Sequence, residues 1–216
     1  NTTVAAIQFA AQPLDPSANL RVMSDMVADA HARGARLVVL PELANTGYFE
    51  HTDLHYLAED RDGDTIRTYS LLSRRHGVYL AAGFAEYHKG DVYNSLAFAT
   101  PGGDVTIYRK RHLIFWEHYY FRPGNEPLIV QTELGRIGFA ICADMMYDHI
   151  WSDYRNRIDV AVVSAAWPGV TEKTTGGVGW MLRPSAGLCD QIPARIAAKL
   201  QVPVVFANQS GPCEVR

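Results

Sequence analysis

The sequence predicts an α/β fold built on a mixed sheet. Short apolar runs of strand length alternate with segments of helical periodicity, and the middle of the chain holds a block of consecutive strands. Continuous apolar runs such as Leu37-Val38-Val39-Leu40 add that some strands are covered on both faces. The pattern leaves open whether there is one sheet or two.

Taken in order, Val4 to Phe9 reads as a buried strand. Asn19 to His31 carries Leu20, Met23, Met26, Val27 and Ala30 at helical spacing, with Gly34 as a stop signal. Leu37 to Leu40 is a second strand, ending at Pro41-Glu42. Thr65 to Arg75 is a helix with Ile66, Tyr69 and Leu72 inward and Leu71 as a further candidate for that face. Val78 to Phe84 and Val92 to Ala99 form an antiparallel pair across Lys89-Gly90-Asp91. Pro101-Gly102-Gly103-Asp104 is a turn before the strand Val105 to Arg109. Ile137 to Ile141, Val160 to Val163 and Val204 to Ala207 complete the strands, with a helix from Ile192 to Leu200.

With 216 residues the chain can bury a sizeable core, and it reads as one domain over residues 1–216. A core strand so close to the end implies further strands beyond the sequence given. The net charge of −3 suggests no nucleic-acid or anionic-membrane partner. No apolar run reaches membrane-spanning length, and the start lacks the basic and apolar regions of a signal peptide. Three cysteines, Cys142, Cys189 and Cys213, are an odd, low count that fits a reducing, cytoplasmic setting rather than a disulfide framework. Buried structural roles are expected for Cys189 and Cys213.

Three strand ends carry reactive side chains: Glu42, Lys110 and Cys142. Ligands of α/β sheets sit outside the carboxyl ends of strands, so a carboxylate, an ammonium and a thiol can converge there. Each alone has an ordinary reading, as a solvated loop acid, a surface lysine or a small buried hydrophobe. Together they make a chemical set. A thiol attacks only as thiolate, so it needs a base or a positive neighbour. Glu42 can take its proton, and Lys110 can stabilise the thiolate and then an oxyanion. The backbone N–H of Ala143, at a turn after the strand, can be a second oxyanion donor. Asp144 would cap that turn.

The residues around these positions resemble the motifs of the nitrilase superfamily of carbon–nitrogen hydrolases. Leu40-Pro41-Glu42-Leu43-Ala44-Asn45-Thr46-Gly47-Tyr48 is similar to its glutamate motif, and Tyr108-Arg109-Lys110-Arg111-His112-Leu113 to its lysine motif. Glu117 with Tyr120-Phe121-Arg122-Pro123-Gly124 resembles the second glutamate and its turn. Gly138-Phe139-Ala140-Ile141-Cys142-Ala143-Asp144 resembles the cysteine motif, and Asn208-Gln209-Ser210-Gly211 the late Asn-containing strand end. The matches occur in family order across nearly the whole chain. The resemblance implies a four-layer α-β-β-α sandwich and a catalytic set of Glu42, Lys110, Glu117 and Cys142. It implies a thioester acyl-enzyme, no metal or organic cofactor, a small amide or nitrile as substrate, and a homo-oligomer. Glu117 close to Glu42 would raise the pKa of one of them by like-charge repulsion.

Cys142-Ala143-Asp144 is more like the amidase branches than the Cys-Trp-Glu of true nitrilases, so amide hydrolysis is the expected activity. Met146 stands where carboxylate-binding amidases carry an arginine. With Met145 it would offer an apolar wall; the plainer reading is that both methionines fill core gaps. Tyr48 and Trp167 are expected to contact substrate. The Gly-rich stretch Gly169 to Leu188 reads as a loop able to cover the pocket. His112 and His118 offer a rival Cys–His dyad, but His112 is expected to pack structurally and hydrogen-bond the backbone. Other readings are a true nitrilase, transfer of the acyl group to an amine, and a non-catalytic binding member of the family. A metal-dependent phosphoesterase using Glu42, Asp144 and Asn208 would leave Cys142 and Lys110 without purpose.

Overall fold

A computed structural model describes residues 2–167 and 187–211. Strands β1 (Val4–Ala6), β2 (Leu37–Val39), β3 (Tyr79–His88), β4 (Asp91–Ala99) and β5 (Val105–Arg109) form one sheet in that order. β1, β2 and β3 are parallel, while β4 and β5 are each antiparallel to the preceding strand. Two reversals leave β5 running the same way as β2, so both point their carboxyl ends at one edge. A second sheet contains β6 (Ile129–Thr132), β7 (Gly135–Ile141), β8 (Val160–Ala165) and β9 (Val204–Asn208), antiparallel between β6 and β7 and parallel thereafter. There are thus two sheets, a point the apolar pattern alone leaves open.

Strand alternation builds the layers. Leu37, Val39, Tyr79, Ala81, Leu96, Phe98 and Tyr108 face Ile137, Phe139 and Ile141 of the second sheet in one core. Phe98 and Phe139 meet there with ring centroids 4.9 Å apart. The opposite face of the first sheet, with Val38, Leu80, Ala82 and Ala97, packs under helices α1 (Pro16–Ala32) and α3 (Asp64–His76). α1 starts on Asp15, whose side chain accepts from the Ala18 N–H at 2.9 Å, with Pro16 in the first turn. Its Met23, Val27 and Ala30 lie on the core side. α3 ends at Gly77, whose φ of +61° closes the helix in the left-handed conformation. Helix α6 (Leu188–Leu200) lays Ile192, Ile196 and Leu200 on the second sheet. The result is an α-β-β-α sandwich.

The expected elements occur with shifted ends. β1 stops at Ala6 rather than Phe9, and β3 runs on to His88. Strand β6 was not expected. It is a four-residue edge strand with no fully buried residue, so it lacks a long apolar run. The short helices α2 (Leu54–Leu57), α4 (Glu117–Tyr120) and α5 (Asp148–Ser152), and the 3-10 turn Cys142–Met146, span too few residues to show periodicity. Residues 169–186 of the expected covering loop, and Cys213, lie outside the described residues. Gly187 and Leu188 instead begin α6.

Candidate active site

The two sheets bring their carboxyl ends together. Ser164 of β8 donates its hydroxyl to the Leu40 carbonyl at 2.8 Å. Glu42 follows β2 in a tight bend whose next residue, Leu43, has φ +46°. That bend lies directly on Gly83 of β3. A Cβ at Gly83 would sit 2.4 Å from the Leu43 nitrogen and 2.6 Å from the Pro41 oxygen, so only glycine admits it. Lys110 leaves β5 with its N–H on the Asn94 carbonyl at 2.8 Å and its own carbonyl accepting from Gly124 at 2.7 Å. Glu117 opens α4. Cys142 follows β7 at once and starts the 3-10 turn with φ +45°. A non-glycine residue held there is strained, and such strain gathers at functional sites.

Lys110, Glu42 and Glu117 form one buried ion cluster. The Lys110 Nζ lies 2.6 Å from Glu42 Oε1 and 2.6 Å from Glu117 Oε1, and all three side chains are 0% exposed. Asn94 Nδ2 donates to the same two oxygens, at 2.8 and 2.9 Å. The other oxygen of Glu42 accepts from the Ala166 N–H at 2.9 Å, and that of Glu117 from the Ile114 N–H at 2.8 Å. One ammonium thus faces two carboxyl groups. Burial, only partly opposed by Lys110 and reinforced by Glu42, lifts Glu117 to about 7. Burial pulls the Lys110 ammonium down, but the two glutamates more than reverse this and keep it firmly charged. The Cys142 thiol is pushed well up by burial and by Glu42, against the pull of Lys110 and the Ala166 N–H. Cys142 therefore rests as a thiol and needs a base to become a nucleophile.

The turn at Cys142 is tied to the end of β5 by Asp144. Its Oδ2 accepts from the Tyr108 hydroxyl (2.8 Å) and the Ile141 N–H (3.0 Å), and its Oδ1 from the N–H groups of Arg111 (3.1 Å) and His112 (2.7 Å). Asp144 caps the turn, as expected, and also joins the cysteine and lysine segments. Asn208 clamps Trp167, accepting from its N–H at 2.7 Å and donating to its carbonyl at 3.1 Å. Asp144 and Asn208 are thus spent on Tyr108 and backbone partners, and no group of three His, Cys, Asp or Glu able to hold a metal occurs among the described residues.

Ala143 is fully buried, and Tyr48 lies with its ring centroid 5.8 Å from the Lys110 Nζ. Trp167 is 7% exposed. The two methionines separate. Met145 fills the core beside Trp151, whose indole N–H donates to its carbonyl at 3.0 Å, whereas Met146 is 43% exposed at the end of the turn. One short turn points successive residues in different directions, so they do not form a joint wall. His112 stacks on Tyr147 at 3.6 Å between centroids, but its Nδ1 has no hydrogen-bond partner. It packs as expected, while the hydrogen bond it makes is from its own backbone N–H to the Asp144 carboxylate rather than from its ring to backbone. Cys189 is only half-buried, correcting the expectation of a buried role. Two groups went unforeseen. Asn94 sits mid-strand, where an Asn reads as ordinary, and the Ala166 N–H has no side-chain signature at all. The basic triplet divides: Arg109 pairs in bidentate fashion with Glu86 (2.8 and 2.7 Å), Arg111 with Asp153 (2.7 Å), and Lys110 alone enters the site.

A family model for carbon-nitrogen hydrolases matches residues 3–212. The chain belongs to the carbon-nitrogen hydrolase family. Among its relatives is a nitrilase of Pyrococcus abyssi, 36% identical over 149 residues, covering 67% of this chain and 56% of that one. An N-carbamoylputrescine amidase of Solanum lycopersicum is 34% identical, covering 67% and 51%. The chain thus spans about half the length of these two relatives. A mutant of the amidase from Nesterenkonia sp. AN1, carrying acrylamide at its active-site cysteine, superposes with a TM-score of 0.82 at 20% identity, over 98% of this chain and 80% of that one. At that identity the likeness speaks for the family fold. No helix among the described residues of this carbon-nitrogen hydrolase family member is long and apolar enough to cross a membrane.

Proposed function

We propose that this protein hydrolyses the non-peptide C–N bond of a small amide through a thioester on Cys142, giving a carboxylic acid and ammonia or an amine. The observation that carries this reading is the fully buried Glu42–Lys110–Glu117 cluster acting on a thiol held at positive φ. Glu42 takes the thiol proton as sulfur attacks the amide carbon. The developing oxyanion is met by the Lys110 ammonium and the Ala143 N–H. That N–H stands in the first turn of a 3-10 helix and so has no partner within it. Glu42, now protonated, gives its proton to the leaving nitrogen as the C–N bond breaks. Water then attacks the thioester, with Glu42 as base again, and the thiol is restored. Glu117 holds Lys110 between two carboxyl groups and tunes its charge. The scheme draws on no metal or organic cofactor.

Tyr48, Ala143 and Trp167 would line the acyl pocket, with Met146 at its exposed rim. Lacking an arginine at Met146, the pocket suits a neutral acyl group. The protein is proposed to act as a homo-oligomer, in the cytoplasm. Named amidases among the relatives support amide hydrolysis, while the Pyrococcus relative supports a second reading, hydrolysis of nitriles. Ammonia release from propionamide and propionitrile, which share one acyl group, separates the two. Faster turnover of the amide is expected, and faster turnover of the nitrile would reverse the assignment.

A further inference from the structure

Beyond the four reactive side chains, one neutral group reaches both carboxylates. Asn94 lies on β4, beside the end of β5, and its backbone carbonyl holds the Lys110 N–H. Its side chain is 1% exposed. The two hydrogens of Nδ2 go to Glu42 Oε1 and Glu117 Oε1, the same oxygens that Lys110 holds. Asn94 Oδ1, by contrast, is buried without a partner. An unpaired buried carbonyl is costly, so the amide keeps this orientation because two carboxylate oxygens demand donors. With Oε1 of Glu42 held by two donors, its Oε2 is the oxygen left beside the Ala166 N–H, the group that also faces the Cys142 sulfur.

We infer that Asn94 is a positioning residue: it fixes both glutamates in register on Lys110 and leaves Oε2 of Glu42 as the atom that receives the thiol proton. The inference rests on Glu42 being the base for Cys142. The charged and titratable groups around the amide are Glu42, Lys110 and Glu117, with Cys142, Tyr48 and Asp144 interacting with that cluster. Donors aimed at a carboxylate favour its charged form. Removing them favours protonation of the glutamate pair and withdraws the base at a pH where the native protein still has it.

The test is the rate at which iodoacetamide alkylates Cys142 from pH 5 to 9, read by peptide mass in the native chain, Asn94→Ala and Asn94→Leu, with thermal melts run alongside. Leu keeps close to the shape of Asn but removes both donors without adding charge. In both folded variants the acid limb should move up by about one pH unit, a tenfold slower reaction on the limb, with the plateau at high pH retained. A limb that stays in place in a folded variant would overturn the inference. A merely structural role would change melting and leave the limb where it is. If neither variant folds, a neutron structure of the native protein decides: deuterons of Asn94 on both glutamates support the inference, and Oδ1 facing them overturns it. Failure of Cys142 to react ahead of Cys189 in the native chain would instead sink the underlying assignment of the nucleophile.

Discussion

At the residue scale, the site is one buried ammonium shared by two carboxyl groups, and its consequences can be measured singly. Lys110→Met would leave both carboxyls buried without their cation. A loss of about 3–5 kcal/mol of stability is expected in urea melts, and under the proposed mechanism turnover falls by at least about a hundredfold as the oxyanion loses its proposed partner. Glu117 gives a pH signature. Its carboxyl rises from the ordinary 4.5 to about 7 in the folded chain. A raised folded pKa means a stabilising contribution that is complete below 4.5 and lost as pH rises through 7. Relative to Glu117→Gln, which stays neutral, the native chain should therefore lose about 3 kcal/mol between those limits. Melts at pH 4.5, 6 and 8 check it, and parallel curves would remove Glu117 from the coupled cluster. That Glu42, Lys110, Glu117 and Cys142 belong to one candidate site was legible in the sequence, because each is a chemically reactive residue type inside a motif. Asn94 and the Ala166 N–H were not, since a neutral amide and a backbone donor act only through where the fold puts them.

At the scale of elements, the strand ends are aimed by contacts that hold no chemistry themselves. Gly83 lets the Glu42 bend lie on β3. Gly83→Ala must push that bend away, and a loss of about 1–3 kcal/mol is expected, together with a fall in kcat larger than any change in KM. Asp144 joins the Cys142 turn to the end of β5 through four hydrogen bonds. Asp144→Ala frees four donors, those of Tyr108 and Ile141 fully buried, so both Cys142 alkylation and stability should drop, whereas the exposed Met146→Ala should leave stability within about 0.5 kcal/mol. Strands such as β2 and β8 are readable from sequence because both faces are buried and the run is apolar throughout. The edge strand β6 and the turns of four or five residues are set by tertiary contacts, and no local period announces them.

At the scale of the molecule, the proposed chemistry depends on two sheets meeting at their carboxyl ends. β2 and β5 supply the glutamate and lysine, while β7 and β8 supply the cysteine and the Ala166 N–H. The layer that fixes their separation is the inter-sheet core, where Phe98 meets Phe139. Phe139→Ala should cost about 3–5 kcal/mol and slow Cys142 alkylation, although residue 139 lies in the core between the sheets. The α/β class and most of its strands follow from the apolar runs, but the division into two sheets does not, because no run of residues records which strands pair. The central claim is that Cys142 forms an acyl-enzyme with a small amide. It is tested most directly by the intact mass of the protein after brief exposure to short aliphatic and aromatic amides, beside Cys142→Ala, with ammonia followed in parallel. The account predicts an acyl adduct on the native chain alone, accompanied by ammonia. Ammonia released equally by Cys142→Ala would contradict it.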